Sequence, residues 1–292
     1  MLTYTISAPD HCRRLESFLR TLMPTAPSGY ARKLIKSGAA KLNGSGSSPD
    51  VFLTTSDTVT LKESATTIGY LQPERPPLDI LYEDGQMIMV NKLPGLAMHR
   101  TAECEENLVE AGQTYLEWRQ TPCKLYPVNR LDRGTSGAVI MAKSSTSAAI
   151  YGRQVKETGL DKLYLALVLG VPAAHGVISE PLDGKESETR YRILLSGSGY
   201  TLLAVTPISG RTHQIRRHLT AIGHPIVGDK RYEGGELSSY PGFGLHSYRT
   251  ALERPEADRL TTCAPLPEGF LALCEERGIS RSIVLESLTH LV

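Results

Sequence analysis

The run "VNRLDRGTSGAVIMAKSSTSAAIYGRQVKETG", residues 128–159, joins a charged loop, a short strand and a helix. Arg130, Asp132 and Arg133 crowd three charges into four residues, and Gly134 to Gly137 follow as a turn of small residues. A carboxylate between two cations is held ionised. That suits a structural ion pair, and it equally suits a carboxylate that does chemistry. "GAVIMAK" (137–143) reads as a buried strand, and 144–159 as a helix with serine at its start and Gly159 at its end.

Outward from this run, the same alternation of strands, hairpins and isolated helices continues. "LDILYEDGQMIMVNKLPGL" predicts strands at 79–82 and 87–91 around an Asp84-Gly85 turn. "KLYLALVLG" (162–170) predicts an apolar strand, and 189–209 a hairpin turning at "GSG". Residues 210–223, ending at Gly223, predict a helix. No regular strand–helix–strand alternation appears. The expected class is therefore α+β, with a mixed, mainly antiparallel central sheet and flanking helices.

Upstream lies a smaller module. Leu15, Phe18, Leu19 and Leu22 recur at helical spacing, and a second helix is expected from Ser28 to Gly38 with Arg32, Lys33 and Lys36 along it. Strands are expected at "AAKLNG" (39–44) and "SDTVTLK" (56–62). The proline-rich "LQPERPPLD" (71–79) reads as a linker. The expected division is 1–66, a linker over 67–78, and a second domain over 79–292.

Composition excludes several classes. Apolar residues make up 40% and charged residues 22% of 292, as in an ordinary globular chain. A net charge of +1 means that any basic surface must be local. The five cysteines (Cys12, Cys104, Cys123, Cys263, Cys274) never form CxxC, which points to a reducing compartment and no structural zinc. The start lacks the pattern of a secretory signal, and no apolar run reaches membrane-spanning length. A cytoplasmic monomer without membrane association is expected. Phosphate-loop, dinucleotide, zinc-protease, serine-hydrolase and zinc-deaminase motifs are all missing, so neither a metal nor a cofactor is expected.

Helix periodicity over 210–223 puts Arg211 on one face with Ile215, Leu219 and Ile222, where a cation needs a carboxylate partner. Arg216 and Arg217 fall elsewhere and are expected to face solvent or phosphate. Taken singly, Arg211 reads as a structural ion pair, Asp132 as a turn residue and Tyr164 as a strand aromatic.

Together, "ILYEDGQMIMVNKLPGL", "RLDRGTSGAVIMAK", "KLYLALVLG", "GRTHQIRRHL", "GHPIVGDKRY" and "LHSYRTAL" resemble, in order and spacing, the RluA-type pseudouridine synthases over roughly residues 79–252. The resemblance implies catalytic Asp132, a paired Arg211, and Tyr164 beside the target uracil. It implies RNA contacts by Arg130, Arg133, His213, Gln214, Arg216 and Arg217. The implied partner is ribosomal or transfer RNA. Departures stand at Asn129, where histidine is frequent, at Gly134, where aspartate is common, and at Leu93 within the usual lysine–proline pair. The first 65 residues resemble a small module of a small-subunit ribosomal protein, which implies RNA contacts by Arg32, Lys33 and Lys36. Two other functions are weighed against isomerisation: an inactive RNA-binding protein of this fold, and a glycosidic hydrolase with paired carboxylates.

Overall fold

The computed structural model describes residues 1–6, 10–71, 77–100, 106–119, 121–157, 159–254 and 257–291. It divides into two compact units, Met1–Arg75 and Pro76–Val292. Cys104 and most of the proline-rich segment lie outside the described residues. Among the described residues, no helix is long and apolar enough to cross a membrane.

In the first unit, β1 (Leu2–Thr5) and β2 (Ala40–Leu42) both pair antiparallel with β3 (Thr58–Leu61). Helices α1 (Leu15–Leu22), α2 (Tyr30–Lys36) and α3 (Ala65–Tyr70) complete it. Alternation along β3 turns Val59 and Leu61 inward, where they meet Leu15 and Leu19 of α1 and Ile35 of α2. Each such burial contributes roughly 1.5–3 kcal/mol. The helix expected from Ser28 starts at Tyr30, with Gly29 as its N-cap. Ser64 caps α3 by accepting from the Thr67 amide, and the Tyr70 ring packs edge-on against Tyr30. Residues 67–71, expected as linker, therefore belong to this unit. Leu78 instead joins the core of the second unit.

Among the described residues, the second unit is an α+β fold built on a ten-stranded sheet. Its central path runs through β4 (Ile80–Glu83), β5 (Met87–Lys92), β7 (Ser136–Ala142), β12 (Leu245–Arg254), β8 (Asp161–Leu169), β11 (Tyr200–Pro207), β10 (Thr189–Gly197) and β9 (His175–Ile178). β6 (Tyr126–Pro127) pairs with β7, and β13 (Ala257–Cys263) with β12. The Asp84 side chain accepts from the Gln86 and Met87 amides at 2.8 Å each, which sets the turn between β4 and β5.

β5 and β7 are buried along their whole length, so both faces of the sheet are covered. On one face Ile88, Val90, Val139 and Val205 pack with α4 (Leu108–Trp118) and α6 (Gln214–Ala221). On the other, Leu165, Leu167 and Leu202 meet α7 (Glu268–Glu275) and α8 (Arg281–Leu288), while Met87 and Ile140 meet Tyr151 of α5 (Ser145–Glu157).

The β7–β12 pairing is parallel, and it organises the site. Ser247 of β12 registers with Gly137 of β7 on one side and with Tyr164 of β8 on the other. Neighbouring strands lie about 4.8 Å apart. The loop entering β7 and the middle of β8 are thereby held two strands apart. Gly137 is required here: its φ is +111°, and a Cβ would lie 2.3 Å from the Ser247 carbonyl oxygen.

Candidate active site

Asp132 sits within the loop between β6 and β7, which is pinned at several points. Leu131 is buried in the core beside it. The buried Asn129 accepts from the Ile140 amide at 2.7 Å and donates to the Ala138 carbonyl at 3.3 Å, tying the loop to β7. Gly134 leaves space that the Phe243 ring fills, since a Cβ there would lie 2.4 Å from Cε1 of that ring. Two of the three departures from the resemblance, Asn129 and Gly134, thus have local structural roles. Lys92, wholly buried, donates to the carbonyls of Leu93, Leu96 and Arg133 at 2.9, 2.9 and 3.0 Å. Burial pulls its ammonium down to about 7, opposed by the nearby Asp132.

The carboxylate borders a cavity of about 370 Å³ shared with Tyr164, His213 and Lys162. Its Oδ2 accepts from Arg216 Nη1 at 2.8 Å, and its Oδ1 lies 3.6 Å from His213 Nε2. Arg216 is itself fixed side-on by Asp229, with Nε–Oδ2 at 2.6 Å and Nη2–Oδ1 at 2.8 Å. The Tyr232 and Phe243 rings hold the guanidinium at 4.8 and 4.5 Å. Arg216 is 6% exposed and Asp229 1%, so the pair sits in low-dielectric surroundings where each charge depends on the other. Burial works against the Arg216 charge, yet its two carboxylate partners raise its pKa overall.

Arg211 does not make the expected ion pair. It is exposed, and its Nε donates to the Glu186 carbonyl at 3.1 Å. The reason is backbone geometry. α6 begins at Gln214, and His213 precedes it in a left-handed conformation (φ 54°, ψ 26°), so helical phase does not extend back to Arg211. Arg216, expected to face solvent or phosphate, takes the position beside Asp132.

Gln214 is also corrected. It is buried, donating to the Glu188 carbonyl and Thr189 Oγ1 while accepting from Ser209 Oγ and the Arg211 amide. It fixes the loop and is not placed to grip a backbone. Arg217 pairs with Asp183 at 2.9 Å, away from the cavity. Arg130 and Arg133 are exposed on either side of Asp132, and Arg130 lines the cavity.

His213 donates to or accepts from the Tyr232 hydroxyl at 2.9 Å. Burial, opposed by Asp132, lowers its pKa. Tyr164 is 7% exposed, and burial pushes its hydroxyl up to about 12, so it stays a neutral aromatic wall. Sequence reasoning missed Asp229, which is linked to Asp132 only through Arg216, and it placed Lys162 on the strand face of Tyr164 without giving it a role.

In the first unit, Arg32 pairs with Glu16 at 2.6 Å, while Lys33 and Lys36 are exposed. A cavity of about 500 Å³ there is lined by Arg14, Arg20 and Arg32 together with Glu16 and Asp50.

A family model described as RNA pseudouridylate synthase matches residues 86–221. The ribosomal large subunit pseudouridine synthase C of Haemophilus ducreyi is 31% identical over 295 residues, covering 90% of this chain and 91% of that protein. Its counterpart in Escherichia coli K12 is 31% identical over 257 residues, covering 80% of each. Among solved structures, human RNA Pseudouridylate Synthase Domain Containing 4 superposes with a TM-score of 0.57 at 22% identity, over 68% of this chain and 92% of that one. Human RNA Pseudouridylate Synthase Domain Containing 1 gives 0.53 at 26% identity, over 66% and 85%. With identity extending along most of the chain and the same fold beneath it, this protein belongs to the RluA-type pseudouridine synthase family.

Proposed function

We propose that the protein isomerises uridine to pseudouridine in large-subunit ribosomal RNA, with Asp132 as the essential carboxylate. One observation carries the choice of chemistry: among the described residues lining the cavity, Asp132 is the one carboxylate, facing an aromatic wall. A hydrolase using paired acids would need a second. Asp229 does not serve, because it is buried behind Arg216 with both oxygens engaged. The large-subunit substrate is taken from the names of the relatives.

The reaction breaks the bond from ribose C1′ to uracil N1, turns the base, and joins C1′ to C5. The C5 proton is lost and N1 gains one, so atoms balance without an outside reactant. Arg216 holds one carboxylate oxygen and stabilises its charge, leaving Oδ1 toward the cavity. Attack on the sugar, attack on the base and removal of a sugar proton all draw on this same ionised group. The uridine leaves its stack at a cost of about a few kcal/mol, which stacking on Tyr164 offsets. Arg130 and Arg133, exposed beside the loop, grip the flanking backbone.

The test is nucleoside analysis after incubation with an unmodified large-subunit ribosomal RNA transcript. Pseudouridine is the expected product. Free uracil would identify a hydrolase, and unchanged RNA would identify a binding protein without activity.

The first unit supplies long-range attraction to RNA through Lys33 and Lys36, with Arg32 damped by Glu16. A fragment of residues 76–292 should fold and isomerise uridine, but bind more weakly. Its log-affinity against log-salt slope should be shallower by about 2, near one unit per lost phosphate contact. Equal slopes for fragment and full chain would remove the first unit from the RNA interface.

A further inference from the structure

Lys162 stands two residues before Tyr164 on β8, and alternate residues of a strand share a face. Both line the cavity that holds Asp132. The two side chains leave the strand roughly 7 Å apart, comparable to the distance from a base to its own backbone phosphate. Among the described residues, Lys162 has neither a hydrogen-bond nor an ion-pair partner, unlike its neighbour Asp161, which pairs with Arg249 and Arg259 at 3.4 and 2.6 Å. Asp132, the one acid among the described residues lining the cavity, is already held by Arg216. Burial lowers the pKa of the Lys162 ammonium, so its charge is carried at a cost there. An unpaired, partly desolvated cation gains most from an anion that arrives with the ligand.

We propose that Lys162 is a phosphate-binding residue of this cavity, receiving the backbone phosphate of the nucleotide whose base stacks on Tyr164. The assignment rests on the reading that a uridine enters here. Arg130 and Arg211, exposed on the rim of the same cavity, take the flanking phosphates, so the cations surround the entering nucleotide rather than the reacting carboxylate. Lys162 thereby adds to the affinity for the entering nucleotide, equally before and during the reaction, without taking part in bond exchange.

The experiment compares wild-type, Lys162→Met and Lys162→Arg proteins on an unmodified large-subunit ribosomal RNA transcript. Affinity is read across a salt series, and single-turnover rate at saturating enzyme. Lys162→Met should weaken binding roughly five- to tenfold and flatten the salt slope by about 0.7–0.9, the loss of one phosphate contact. Its saturating rate should stay within about threefold of wild type, since uniform binding alone is lost. Lys162→Arg should keep the wild-type slope. Lys162→Met should melt no lower than wild type, because no internal partner is orphaned. An unchanged slope and affinity for Lys162→Met would overturn the assignment. So would a collapsed saturating rate with the slope intact, which would put Lys162 in the chemistry. Failure of the wild-type protein to form pseudouridine would instead sink the reading of the cavity itself.

Discussion

Asp132→Asn is expected to lower turnover by at least about a thousandfold, while the protein still folds and binds RNA. The amide keeps the shape of the side chain and loses its charge, and with it the ability to attack or to accept a proton. Folding survives because Asn129, Leu131 and the Arg133 carbonyl hold the loop independently of the carboxylate. Arg216 keeps its two bonds to Asp229, so no buried charge is stranded. Single-turnover assays, thermal melts and RNA titrations on one preparation separate these effects. A well-folded Asp132→Asn protein that isomerises uridine at an appreciable rate would remove Asp132 from the chemistry.

Arg216→Ala should be the most destabilising exchange in the cavity. It strands Asp229, 1% exposed, without a counter-charge, and empties the space between Tyr232 and Phe243. Breaking a buried pair from one side costs about 3–5 kcal/mol. For a unit of this size that is a fall of roughly 10 °C in melting midpoint. Activity should fall with it, because Asp132 loses the donor on Oδ2. Arg211→Ala is the internal control: an exposed arginine bonded to a backbone carbonyl should shift stability by no more than about 0.5 kcal/mol. Equal melting losses for the two variants would mean that the Arg216–Asp229 pair is not the buried brace described above.

The contrast between these two arginines shows where sequence is legible and where it is not. Strands around 87–91, 137–143 and 162–170 are readable because their residues are buried on both faces and their ends carry turn signals such as Asp84-Gly85 and Gly170. Asp132 and Tyr164 are readable because motif order fixes them on a loop and a strand that β12 then brings together. Arg211 was misplaced because periodicity assumes helical backbone throughout, and one left-handed residue, His213, resets the phase. Gln214 looks like a surface amide in a basic run, yet it is buried and hydrogen-bonded to Thr189 of β10 and to Glu188 just before it, 25 and 26 positions away. Asp229 leaves no local signal. Its role exists only once a turn 13 residues beyond Arg216 folds back onto α6. Gly134 carries its meaning in a ring more than a hundred residues later, Phe243.

The most direct measurement maps pseudouridine across large-subunit ribosomal RNA by carbodiimide sequencing. The RNA comes from the source organism with the gene deleted, and from the same strain carrying either the wild-type gene or its Asp132→Asn variant. One or more uridines should lose the modification on deletion, regain it with the wild-type gene, and remain unmodified with the variant. A modification pattern unaltered by the deletion, or restored equally by both genes, would contradict Asp132-dependent isomerisation of ribosomal uridine by this protein.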